Sequence, residues 1–213
     1  SSVQEMADLT ALAFDLADKY RMPAMLLADG TMGQMMEPVV LPEGHGATVE
    51  KPWALTGTEM KRPHNVVNSL YLSPEVLERT NVERYERYEE VKKNETRWEE
   101  YLMEDAEYAI VAFGIAARVA KNAIKVLREK GIKAGLIRPI TVWPFPTEPI
   151  REASFRVKGF LSVELSMGQM IEDVKLASEC RKPVELCYRA GGMIPDVERI
   201  VKSVEKMAEG GRN

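Results

Sequence analysis

The chain has 213 residues, of which 45% are hydrophobic and 29% charged, and its formal net charge is -4. That is ample material for a core, in one large or two small domains. Acidic and basic residues are interspersed, which argues against a nucleic-acid or anionic-membrane surface. No apolar run nears the roughly 20 residues of a bilayer span, and nothing has the make-up of a secretory signal. The only cysteines, Cys180 and Cys187, fit no zinc or iron–sulfur spacing and suit a reducing cytoplasm. Cys187 reads as a small buried strand residue.

Ser2 and Glu5 have the capping-box spacing, so a helix is expected almost from the first residue. Met6, Leu9, Ala13, Leu16, Ala17 and Tyr20 form its apolar stripe. Pro23 then leads into an apolar run, Ala24 to Ala28, expected as a strand and closed by Asp29-Gly30. One helix and one strand cannot make a sheet covered on both faces. Residues 1–42 are therefore expected to be the incomplete end of a larger α/β domain, either in a fragment or docked on another subunit's sheet. An exposed edge of that kind favours self-association.

Residues 43–104 read as a connector. Pro42, Pro52, Pro63 and Pro74, with Gly44, Gly46 and Gly57, break every regular period there. His45, between two glycines, and His64 are either acid–base or ligand candidates or simply solvated loop histidines. From Pro74 to Glu104 the chain is densely charged, with Leu77, Val82, Tyr85, Tyr88, Val91, Trp98 and Tyr101 among the charges. Helical pieces lying across a domain surface, anchored by the aromatics, are expected here.

Residues 105–213 follow the period of a parallel α/β unit. Strands are expected at Tyr108–Phe113, Ala134–Ile137, Val157–Val163 and Val184–Tyr188. A helix with Ala116, Val119, Ala120, Ala123, Ile124 and Leu127 on one face should stop at Gly131. A short helix over Pro149–Ala153, one over Met167–Glu179, and a last one after Pro195 complete the alternation.

Met32-Gly33-Gln34-Met35-Met36-Glu37 recurs as Met167-Gly168-Gln169-Met170-Ile171-Glu172, at one constant offset that also pairs Asp29 with Glu164. Each copy follows an apolar run, the layout of a strand turning into a helix with backbone N–H groups facing outward. Chance similarity over so short a window is the alternative. The chain has no phosphate loop, no Gly-x-Gly-x-x-Gly, no Gly-x-Ser-x-Gly and no paired-histidine motif. Ligands of parallel sheets gather at the carboxyl ends of strands, where Asp29, Gly114, Arg138, Glu164, Ser166 and Gly191-Gly192 should fall. Arg138 is either a clamp for phosphate or carboxylate or the partner of a neighbouring acid. Glu164 is either a polarising acid beside a cofactor or one half of an interdomain pair.

Three stretches carry a resemblance. Ile137-Arg138-Pro139-Ile140-Thr141-Val142-Trp143-Pro144-Phe145-Pro146, Val163-Glu164-Leu165-Ser166-Met167-Gly168-Gln169-Met170 and Gly191-Gly192-Met193 resemble the α subunit of the 2-oxoacid:ferredoxin oxidoreductases. Ser2 to Met6, Gly33 to Pro38, Trp53 to Gly57 and Ser69 to Leu72 agree, most closely with the 2-oxoisovalerate type and next with the 2-oxoglutarate type.

The resemblance implies oxidative decarboxylation of a 2-oxoacid to an acyl-CoA, with electrons passed to ferredoxin. It implies an α/β fold with a mainly parallel sheet: the end of a thiamine-binding pyrimidine-type domain over 1–42 and a transketolase C-terminal-like domain over 105–213. Thiamine diphosphate, magnesium and iron–sulfur clusters belong to the whole enzyme, and none is expected on this chain alone. Partner β, and in some members γ and δ, subunits are implied, in a cytoplasmic oligomer without nucleic acid or membrane. No catalytic or metal residue is assigned. Arg138, Gly168 and Gln169 are the expected cofactor-side contacts. A non-catalytic assembly module and a CoA-binding α/β module are the other readings.

Overall fold

A computed structural model describes residues 1–41 and 50–210. His45 lies outside the described residues. The chain opens with α1 (Val3–Tyr20), the one-turn helix α2 (Gly30–Gln34) and, after a long irregular stretch, α3 (Pro74–Glu95). The remainder runs β1 (Trp98–Tyr101), β2 (Tyr108–Val111), α4 (Gly114–Glu129), β3 (Ala134–Pro139), α5 (Thr147–Ser154), β4 (Gly159–Glu164), α6 (Met170–Ala177), β5 (Val184–Tyr188) and α7 (Val197–Gly210). Among the described residues, no helix is long and apolar enough to cross a membrane.

The five strands form one sheet in the order β1-β3-β2-β4-β5. β3, β2, β4 and β5 are parallel, and β1 closes one edge antiparallel to β3, with Trp98 opposite Pro139. Alternate side chains of β2 feed two cores. Tyr108 and Ile110 join α4 and α7 on one face, while Ala109 and Val111 join α5 and α6 on the other. The helical period explains α4: Ala116, Ala120, Ala123, Ile124 and Leu127 are buried, and Val119 is partly covered. Each such Leu or Ile contributes about 1.5–3 kcal/mol through burial.

The expected parallel unit is therefore present, with two departures. The stretch expected as helical pieces is a single helix, α3, followed by strand β1, whose charged Glu99 and Glu100 mask the alternation of a half-exposed edge. The run Ala24–Ala28 is extended but pairs with no described strand, and Met25 and Leu27 are 81% and 64% exposed. An extended segment without a neighbour forms no ladder, whatever its β propensity.

The connection between β1 and β2 packs over β3 so tightly that only glycine fits at that strand's second position. A Cβ on Gly135 would lie 2.6 Å from both the Leu102 carbonyl oxygen and Met103 Sδ, and 3.1 Å from Ala106 Cβ. Gly135→Ala is expected to cost about 1–3 kcal/mol of stability through overpacking. The check is a lowered denaturant midpoint at unchanged m-value.

Candidate functional site

β2 is the first of the parallel strands, and its neighbours β3 and β4 are reached by crossovers on opposite faces, through α4 and α5. Such a reversal opens a crevice outside the carboxyl ends of the two central strands, where α/β sheets hold their ligands. A cleft of about 460 Å³ lies there, bounded by Phe113 after β2, by Glu164, Ser166 and Gln169 after β4, and by Leu27, Ala28 and Asp29 from the first unit.

The second Met-Gly-Gln corner is organised around Glu164, the last residue of β4. Its Oε1 accepts from Ser162 Oγ (2.9 Å) and the Ile171 amide (2.8 Å). Its Oε2 accepts from Ser166 Oγ (2.7 Å) and from the amides of Gln169 (2.8 Å) and Met170 (3.1 Å). The residue is 5% exposed. Burial pushes its carboxyl up, but the Gln169 amide, both serine hydroxyls and the Ile171 amide together hold it below the ordinary 4.5. The positive end of α6 is thus filled by the chain's own carboxylate. The expected outward-facing amides are corrected accordingly, as is the expected interdomain pairing of Glu164, because all five of its partners belong to the same corner.

Asp29 holds the equivalent place in the first corner. Its Oδ1 accepts from the Met32 amide (2.8 Å), starting α2, and its Oδ2 accepts from the Ile115 amide (3.1 Å) at the start of α4. The repeat therefore persists in the capping chemistry, although α2 has 5 residues and α6 has 8.

Arg138 ends β3 and is 6% exposed. Its Nη1 and Nη2 donate to the two oxygens of Glu5 (3.0 and 2.8 Å), and its Nε donates to Glu99 (2.7 Å). The planar fork matches the carboxylate at two points. Ser2 Oγ accepts from the Glu5 amide (3.2 Å) as expected, but the Glu5 side chain accepts from Arg138 and the Ser1 amino group instead of from the Ser2 amide that would close the capping box. Burial raises the Glu5 carboxyl, and the Arg138 hydrogen bond and charge bring it below 4.5. Two further contacts hold α1: Glu37 accepts from the Val3 amide (2.9 Å) and Arg118 (2.6 Å), and Glu95 accepts from Lys19 (2.8 Å) and Tyr20 Oη (2.6 Å).

Of the residues singled out as cofactor-side contacts, Gly168 and Gln169 sit together at the cleft corner, and Arg138 lies at the end of a strand that β2 separates from β4. Gly168 turns the chain at φ +105°. The Gln169 carboxamide borders the cleft and makes no hydrogen bond among the described residues. Sequence reasoning put Asp29 at a strand end but missed its bond to α4, for which the offset pairing with Glu164 was the signal. Cys187 is buried in β5 as expected. Among the described residues, no group of three or more His, Cys, Asp or Glu is placed to hold a metal ion.

Residues 1–107 match the family model described as pyruvate flavodoxin/ferredoxin oxidoreductase, thiamine diphosphate-binding. Residues 106–200 match pyruvate:ferredoxin oxidoreductase core domain II. The chain belongs to the 2-oxoacid:ferredoxin oxidoreductase family. It is 48% identical over 211 residues to ketoisovalerate oxidoreductase subunit VorB of Methanothermobacter marburgensis, covering 98% of this chain and 59% of that protein. It is 29% identical over 233 residues to 2-oxoglutarate synthase subunit KorA of Methanothermobacter thermautotrophicus, covering 97% of this chain and 62% of that one. The chain thus spans about three fifths of the length of these relatives. Its backbone is similar to that of 2-oxoglutarate:ferredoxin oxidoreductase from Magnetococcus marinus, at a TM-score of 0.64 and 18% identity, over 90% of this chain and 38% of that one.

Two consequences follow for stability. Arg138→Met removes the main partner of Glu5 and one of two cations on Glu99 and is expected to cost about 2–3 kcal/mol, less than a fully buried pair because both acids keep some water. The check is a denaturant titration of the variant against the parent at pH 7. Glu5 and Glu164 both have lowered carboxyl values, so their contribution is fully present above 4.5 and is lost as pH falls through the lowered values. Denaturant titrations from pH 7 to pH 3 should show stability falling below pH 4.5, and the fall should be shallower in Glu164→Ala.

Proposed function

We propose that this chain is part of a thiamine-dependent 2-oxoacid:ferredoxin oxidoreductase. In that reaction the 2-oxoacid loses carbon dioxide, the acyl group passes to CoA, and two electrons pass to ferredoxin through iron–sulfur clusters. This portion assembles subunits and completes the site. Residues 1–42 are the end of the pyrimidine-type domain, 43–104 a connector, and 105–213 a transketolase C-terminal-like domain. The exposed apolar run Ala24–Ala28 supports the first assignment, since an unpaired extended segment suits a sheet whose other strands come from elsewhere. The observation that carries the site-completing role is the cleft at the switch point, which the first unit and the sheet line jointly.

The described residues do not fit thiamine diphosphate or magnesium. At the start of α4 the Ile115 amide is taken by Asp29, at the start of α6 the amides of Gln169, Met170 and Ile171 are taken by Glu164, and no metal-holding cluster stands among the described residues. In the proposed enzyme the thiamine, magnesium and iron–sulfur sites belong to other segments or to partner β, γ or δ subunits, in a cytoplasmic oligomer. Gln169 is the proposed contact for the oxoacid or CoA, Gly168 shapes its turn, and Arg138 acts through Glu5 and Glu99.

The Asp29 and Glu164 carboxylates at the starts of α4 and α6 weigh against a free-standing CoA-binding module, because each sets a negative charge where a phosphate would bind. Against the assembly-only reading stands the unbonded Gln169 carboxamide facing the cleft. The test uses the full-length subunit assembled with its partners, reading viologen reduction with a 2-oxoacid and CoA. Gln169→Ala is expected to raise the KM for the oxoacid or CoA about tenfold, the worth of one hydrogen bond. Unchanged KM values for both would favour assembly alone, and no oxoacid-dependent reduction by the parent complex would overturn the enzymatic reading.

A further inference from the structure

Asp29 ends two helices with one carboxylate. Oδ1 accepts from the Met32 amide at 2.8 Å and Oδ2 from the Ile115 amide at 3.1 Å. The first amides of a helix have no partner within it, and Phe113, the residue before α4, supplies no side-chain cap. α4 therefore takes its cap from the other unit. The chain makes room for this: Gly114 has φ +59°, and a Cβ there would lie 2.8 Å from Asp29 Oδ2. A further polar tie between this segment and α4, Glu37 with Arg118, has side chains 23% and 42% exposed, where an ion pair contributes little.

We propose that Asp29 is a positioning residue that fixes the Thr31–Gln34 corner against the switch point and thereby sets the width of the cleft. Leu27, Ala28 and Asp29 form one wall of that cleft, and Phe113 and Gln169 form part of the other. With the Ile115 bond made, the walls are held at one spacing. Without it, the wall next to Asp29 keeps the packing of buried Met32 and the half-exposed Glu37–Arg118 pair, neither of which caps α4. The kinetic part of the test rests on the proposed oxidoreductase function; the exchange part does not.

Amide hydrogen exchange on the full-length subunit assembled with its partners reads the two helix starts separately. In Asp29→Ala, segments 30–34 and 113–117 are both expected to exchange about tenfold faster, while the rest of the sheet keeps its parent rates. Asp29→Asn keeps one acceptor oxygen and turns an N–H against the second amide, so only one segment should accelerate. Gly114→Ala, which displaces the carboxylate without removing it, should accelerate 113–117. In viologen reduction, Asp29→Ala is expected to raise the KM for the oxoacid or CoA about tenfold with kcat within about twofold. Unchanged exchange at 113–117 in Asp29→Ala overturns the proposal. So does a fall in kcat at constant KM with faster exchange throughout the sheet, which would mark a purely structural role. If the parent complex reduces no viologen with any 2-oxoacid, the enzymatic reading fails, and the exchange rates alone still decide the role of Asp29.

Discussion

Helix ends at the carboxyl edge of the sheet impose the constraint on which the rest depends. Each helix that starts there presents amides with no partner in the helix, and a buried amide must find an acceptor. This chain supplies carboxylates from within. Glu164 serves α6, Asp29 serves α2 and α4 together, and Glu37 serves the Val3 amide of α1. Each charge also opposes the positive end of a helix dipole. Those helix starts are thereby opposed by negative charge, and the cleft beside them is lined by apolar walls, the Gln169 carboxamide and the Asp173 carboxylate.

The same economy fixes α1. Taking Arg138 and Glu5 out of water is costly, and the cost is offset only because the fork geometry satisfies both carboxylate oxygens and Glu99 takes the remaining Nε. At the other end of the helix, Lys19 and Tyr20 meet Glu95. An 18-residue helix tied at both ends has one register against the sheet. Between the ties lies an apolar cleft of about 390 Å³, with Leu9, Leu12 and Leu16 on one side and Ile140, Val142 and Trp143 on the other. The ionic ends set the position, and the apolar middle follows it.

The parallel unit was legible in the sequence because its signals are local. The stripe from Ala116 to Leu127, the stops at Gly131 and Pro139, and the four apolar runs all depend on the period of one element. β1 was not legible, because Glu99 and Glu100 read as surface charge until Arg138 and Lys121 are set beside Glu99. The Ala24–Ala28 run misled in the opposite sense: its composition suits a strand, but a strand exists only with a neighbour to share its hydrogen bonds.

At the site, the Met-Gly-Gln repeat and the pairing of Asp29 with Glu164 were visible as letters, and they located both corners. Their chemistry was not visible. Whether a carboxylate points into its own helix, across to another, or out to a ligand depends on side-chain directions and on which helix start lies within about 3 Å. So the sequence by itself determined the element types of the parallel unit, their alternation, the family and the places where that unit turns, since each of these is written in neighbouring residues. Only the tertiary structure decided that Asp29 reaches Ile115 and that Arg138 takes up Glu5, because those acceptors are chosen by distances between residues far apart in the chain, and that Glu164 closes its own corner, because that rests on the direction its side chain takes.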